Sequence, residues 1–201
     1  MPGRNWFLML LLSALFLAGF GGLVRVQAEK DTNGMPAGAS GNDTGVSLVR
    51  AARQQIGVTT TYDPAYRSIG YPNGDIPADR GVCTDVLIRA FRSGPGMDLQ
   101  ELVHEDMRGN FKKYPAAWGL KAPDTNIDHR RVANLVTYFD RRGYSVPVSR
   151  KAADYRAEDL VACTVPPGLP HIMIVSDRKN TSGQPLIIHN IGAGTREEDR
   201  L

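Results

Sequence analysis

Arg80-Gly81-Val82-Cys83-Thr84-Asp85-Val86-Leu87-Ile88-Arg89-Ala90-Phe91 is where a loop rich in Gly and Pro gives way to an apolar helical run, with a thiol at the change. A cysteine in the first turn of a helix meets unpaired backbone N–H groups and the positive end of the helix dipole. Both favour the thiolate, so the spacing predicts a Cys83 of lowered pKa. The helix is expected to run to about Ser93, where Gly94-Pro95-Gly96 stops it. Two histidines follow far downstream, each in a β-branched run: Pro170-His171-Ile172-Met173-Ile174-Val175 and Leu186-Ile187-Ile188-His189-Asn190.

Outward from that helix the hydrophobic period changes once. Val46, Val49, Ala52 and Ile56 recur at helical spacing behind the caps Asp43 and Thr44, and Gly57 ends the run. Asp98-x-x-Glu101 predicts a capping box for a third helix, and a fourth is expected over residues 130–142, with Val132, Leu135, Val136 and Phe139 on one face. Three strands are then expected at 159–165, 171–177 and 185–191, separated by Pro166-Pro167-Gly168 and Asn180-Thr181-Ser182-Gly183. Helices first and strands after, joined by hairpin-length loops, predict an α+β domain over residues 46–201 with a small antiparallel sheet.

Ahead of the domain, Arg4, the uncharged apolar stretch Trp6–Val24 and Val26-Gln27-Ala28 have the form of an export signal cleaved after Ala28. Left uncleaved, the stretch would be a membrane anchor, and the membrane is expected as a partner only in that case. Residues 29–45, rich in Gly, Ser, Asn and Asp, read as a flexible linker. The formal charge is +3, and residues 1–28 supply two of the basic groups, Arg4 and Arg25. With signs alternating along the rest, nucleic acid is not an expected partner. Two cysteines in an exported chain raise the question of a Cys83–Cys163 bridge; Cys163, in Leu160-Val161-Ala162-Cys163-Thr164-Val165, reads instead as a small hydrophobe of a buried strand.

A thiol hydrolase needs a nucleophile, a base, a group that orients the base, and oxyanion donors. Cys83 supplies the nucleophile and, through its own N–H, one donor. His171 opens a strand directly after a proline and is the expected base. His189 and Asn190 point to opposite faces of their strand, so only one can meet His171; His189 is the choice, with Asn190 as substitute. His104-Glu105-Asp106-Met107-Arg108 is not the zinc motif H-E-x-x-H, and a solvated helix face is expected for His104. His129 is expected to help start the fourth helix.

Tyr62-Asp63-Pro64-Ala65-Tyr66, Arg80 to Asp85, His104 to Met107, Asn126 to Val132, Leu169 to Ile172 and His189 to Gly194 resemble the motifs of the bacterial domain-of-unknown-function family 1287. That family resembles in turn the NlpC-type, papain-like cysteine peptidase superfamily. The resemblance covers about Val46 to the C-terminus. It implies a papain-like fold and a periplasmic or secreted cysteine peptidase or amidase acting on peptidoglycan stem peptides; separately, a monomer without cofactor or metal is expected. It carries the nucleophile to Cys83, the base to His171 and the third residue to His189, with Tyr62 and Asp85 at the substrate. The superfamily's usual Asp-Cys-Ser-Gly is replaced by Val82-Cys83-Thr84-Asp85, and similar proteins continue past Leu201 into further strand. Two other readings stay open: a zinc site of Cys83, His171 and His189, and a non-catalytic wall-binding module of the same fold.

Overall fold

Apolar residues three and four apart make the first half of the domain helical, and β-branched alternation makes the second half a sheet. The computed structural model describes Val24–Val26 and residues 44–201, with side chains from Leu48 onward. In chain order the elements are β1 (Val24–Val26), α1 (Thr44–Arg53), β2 (Thr61–Tyr62), β3 (Arg80–Gly81), α2 (Cys83–Ser93), α3 (Leu99–Asn110), α4 (Val132–Arg141), β4 (Ser145–Val146), β5 (Leu160–Val165), β6 (Leu169–Lys179), β7 (Pro185–Asn190) and β8 (Thr195–Glu198). A short 3₁₀ turn, Asp128–Arg130, precedes α4. The four helices fall where the periodicity predicts them, and α+β with an antiparallel sheet is the architecture.

The sheet has six strands in the order β4-β1-β5-β6-β7-β8, against the three expected. The additions are short: β1, β4 and β8 have three, two and four residues, too few to show alternation in a sequence. β1 falls inside the expected leader and lies between β4 and β5; cleavage after Ala28 would remove it. The rest of that leader and the linker up to residue 43 lie outside the described residues. β8 closes the other end of the sheet on β7, using the acidic run that the sequence showed only as a tail.

The helices pack on one face of the sheet. Leu48 and Ala52 of α1, Val86, Leu87 and Ala90 of α2, Val103 of α3 and Leu135 of α4 meet Leu160, Ile172, Ile174 and Ile188 in one core. Each large side chain fully buried there contributes roughly 1.5–3 kcal/mol of transfer free energy. A smaller cluster of Tyr155, Val161, Met173, Val175 and Ile187 covers the opposite face. Both faces of the central strands are therefore buried, which explains their continuous apolar runs. The main core pins the N-terminal end of α2 against the start of β6.

Candidate active site

Cys83 is the first residue of α2, and the turn before it is held by three separate contacts. Val82 N–H donates to Asp85 Oδ2 at 2.7 Å, which caps the helix from inside its first turn. Asn190 Nδ2, from β7, donates to the Gly81 carbonyl at 2.9 Å. Gly81 pairs with Tyr62 in the two-stranded β2–β3 ribbon. Gly81 has φ of 157°, and a Cβ there would stand 2.9 Å from the Asp85 Cβ. Only glycine fits so close beneath the helix start.

Asp85 is tied further by a buried ion pair. Arg130 Nε donates to Oδ1 at 2.8 Å and its terminal nitrogen to Oδ2 at 3.0 Å, with the two side chains 4% and 3% exposed. The same guanidinium donates to the carbonyls of Ala65 and Asp63, and Thr84 donates its hydroxyl to the Arg130 carbonyl. Asp85 was expected at the substrate; with both oxygens committed and no open surface, it instead fixes the cysteine turn to the tyrosine loop. Nothing in the spacing of residues 85 and 130 announces this pair.

The sulfur sits against backbone N–H groups of Ile172, Thr84 and Cys83 itself. These donors pull its pKa down, as the helix-terminus argument requires. Burial wins, however: Cys83 is 5% exposed, and loss of hydration pushes the thiol up to about 11. The expectation of a lowered pKa is thus reversed, because a dipole acting through a few N–H groups is weaker than removal of an anion from water. Tyr62, beside the sulfur in β2, is partly exposed, and burial and then the neighbouring Cys83 raise its phenol. Both cysteines are free, with no bridge between them. Cys163 is half-buried on β5, directly opposite His171 of β6.

His171 Nε2 lies 2.8 Å from His189 Nδ1, with the rings edge-on at 71°. Extending the β6–β7 register from Ile174↔Ile188 puts the two histidines diagonally across on one face. Between the two candidates for third residue, geometry selects His189, while Asn190 braces Gly81 on the other side. Burial, and then His189, lowers His171 to about 4, and burial lowers His189 as well. At neutral pH the resting site holds a thiol and two neutral imidazoles. No hydrogen bond joins the thiol to His171 among the described residues; such catalytic contacts commonly tighten only when substrate binds.

For His171 to accept a proton at Nδ1, its Nε2–H must donate to His189 Nδ1. That puts the single ring proton of neutral His189 on Nε2, which is buried without a hydrogen-bond partner and lies 4.0 Å from Glu198 Oε2 of β8. Glu198 completes a row His171–His189–Glu198 that sequence reading missed, since residues 197–200 read only as a charged tail. In this tautomer His189 has its Nδ1 lone pair on His171 and a proton on Nε2, so neither of its ring nitrogens is free to ligate a metal. Among the described residues no trio of His, Cys, Asp or Glu gathers around a metal position. His104 departs from expectation: its Nδ1 lies 3.3 Å from buried Asp128 and its ring packs edge-on against Tyr71. His129 is buried in the turn before α4, where burial lowers it to about 3.

The fold and site define an α+β protein with a cysteine at a helix start and a hydrogen-bonded histidine pair on two neighbouring strands. A model of a domain of unknown function (DUF1287) matches residues 49–201, and the chain belongs to that family. It is 55% identical over 159 residues to the uncharacterized protein YijF of Escherichia coli (strain K12), covering 79% of this chain and 77% of that one. No solved structure matches it.

Proposed function

We propose that the protein is an exported cysteine amidohydrolase of papain-like, NlpC-type fold, cleaving amide bonds in peptidoglycan stem peptides. The observations that support the reading are Cys83 at a helix start against the Ile172 N–H, and His171, the residue before Ile172 in the same strand, bonded through Nε2 to His189. The Nδ1 of His171 takes the thiol proton as Sγ attacks the amide carbonyl, and the Cys83 N–H stabilises the oxyanion. The imidazolium then gives that proton to the leaving amine, and a thioester forms. Water attacks the thioester while His171 accepts its proton, and the acid and the free thiol are released. His189 holds His171 in the tautomer this sequence of transfers requires. With a resting thiol near 11, the proton moves during attack rather than before it.

The burial of Cys83 also favours a second reading, a wall-binding module of the same fold without turnover. One experiment decides between them: incubation of the full chain and of Cys83→Ala with purified muropeptides, followed by mass spectrometry. Cleavage by wild type alone supports the hydrolase. Cleavage by both variants removes Cys83 from the mechanism, and peptidoglycan binding with no cleavage by either supports the module.

A further inference from the structure

Glu197 and Glu198 are neighbours in β8 and point to opposite faces of the sheet, where they meet different partners. Glu197 stands opposite Ile188 of β7, on the face that α1 covers. Arg53 of α1 donates to its carboxylate at 2.8 Å and Arg178 of β6 at 3.0 Å, with the Ser176 hydroxyl as a further donor. This clamp ties β8 to α1 and β6. Glu198 stands opposite Ile187, and Arg196 opposite His189, so Glu198 lies diagonally across from His189 on the other face. Its ion-pair partners nearer in the chain are Arg200 at 2.8 Å and Arg196 at 3.8 Å, both exposed.

His189 Nε2 is buried without a hydrogen-bond partner, and the carboxylate facing it is Glu198, with Oε2 at 4.0 Å. An orphaned buried N–H costs more than an exposed ion pair returns, because water solvates the separated ions but does not reach the buried donor. Turning from Arg200 toward His189 is therefore favourable for Glu198. We propose that Glu198 is a positioning residue: its carboxylate accepts the His189 Nε2–H and so fixes the tautomer in which His189 Nδ1 accepts from His171. In the other tautomer His189 would donate to His171 Nε2, and the His171 proton would sit on Nδ1, the nitrogen that must be bare to take the thiol proton. The catalytic consequence rests on the hydrolase reading; the hold on His189 does not. Around His189 stand His171 from β6, Glu198 and Arg196 from β8, and Arg200 beyond it, of which Glu198 alone is negative. Burial lowers the His189 pKa, Glu198 raises it and Arg200 lowers it, so the carboxylate also favours positive charge on the histidine pair.

Nitrogen-15 NMR of the full chain labelled at histidine, with His189→Gln to assign that ring, reads the tautomer directly. At pH 8 the wild type should carry the His189 proton on Nε2. Glu198→Ala should move that proton toward Nδ1. Glu198→Gln, whose amide oxygen still accepts, should keep it on Nε2 while the apparent pKa of the histidine pair falls by about one pH unit. On muropeptides, Glu198→Ala should lower kcat about tenfold or more with KM near the wild-type value. A wild-type proton on Nδ1, or one tautomer shared by wild type and Glu198→Ala, overturns the assignment. If Glu198→Ala does not fold, an unchanged pair pKa in Glu198→Gln overturns it instead. A tautomer set by Glu198 in a protein that cleaves no muropeptide keeps the hold on His189 and removes the hydrolase. Cleavage with a tautomer indifferent to Glu198 does the reverse.

Discussion

Arg130→Met is the perturbation with the clearest expected cost. It leaves the Asp85 carboxylate, 3% exposed, with one hydrogen bond from Val82 N–H at 2.7 Å in place of three. An uncompensated buried charge of this kind costs about 3–5 kcal/mol, mostly desolvation no longer repaid. At roughly 2–4 °C per kcal/mol for a domain of this size, the melting temperature should fall by about 6–20 °C. The double variant Arg130→Met/Asp85→Asn removes both charges while the new amide oxygen still accepts from Val82. Its loss should be smaller than the sum of the two single losses by about 2 kcal/mol or more. Urea denaturation of the four proteins, followed by circular dichroism, reads the cycle directly. The reasoning fails if Arg130→Met costs under about 1 kcal/mol, or if the single losses simply add. It does not require the intact pair to outperform an apolar replacement, because burying both ions is itself expensive.

Two further outcomes follow from the same burial. Cys83, raised to about 11, should alkylate slowly at pH 8 and gain speed tenfold per pH unit up to that range, with unfolding in urea restoring an ordinary thiol; fast labelling near pH 6, read by mass spectrometry, would show that an ion pair with His171 outweighs desolvation. His171 and His129 are lowered to about 4 and about 3, so between those values and about 6.5 the unfolded chain binds protons that the folded chain refuses. Stability should therefore hold above pH 6.5 and fall as the pH drops through 6 to 4, by on the order of 3 kcal/mol for each histidine, with the raised carboxyl of Asp128 opposing part of the loss. A flat urea midpoint from pH 7 to pH 4.5 would contradict this.

The sequence by itself determined the helices, the central strands and the chemical cast of the site. Those features follow from local periods, from glycine and proline stops, and from the rarity of cysteine and histidine, all of which act over a few neighbouring residues. Cys83 at a helix start and the two strand histidines needed no third dimension. Tertiary structure alone decided the rest. It chose His189 over Asn190 at His171, because that choice depends on strand register. It turned Asp85 from a substrate contact into half of a buried ion pair with a residue 45 positions away. It made β8 and Glu198 out of an acidic tail, since a short edge strand has no pattern of its own and is formed by its neighbour. The thiol's pKa went against the local expectation for one reason. A helix terminus can be read from adjacent residues, but desolvation depends on everything the chain packs over the sulfur.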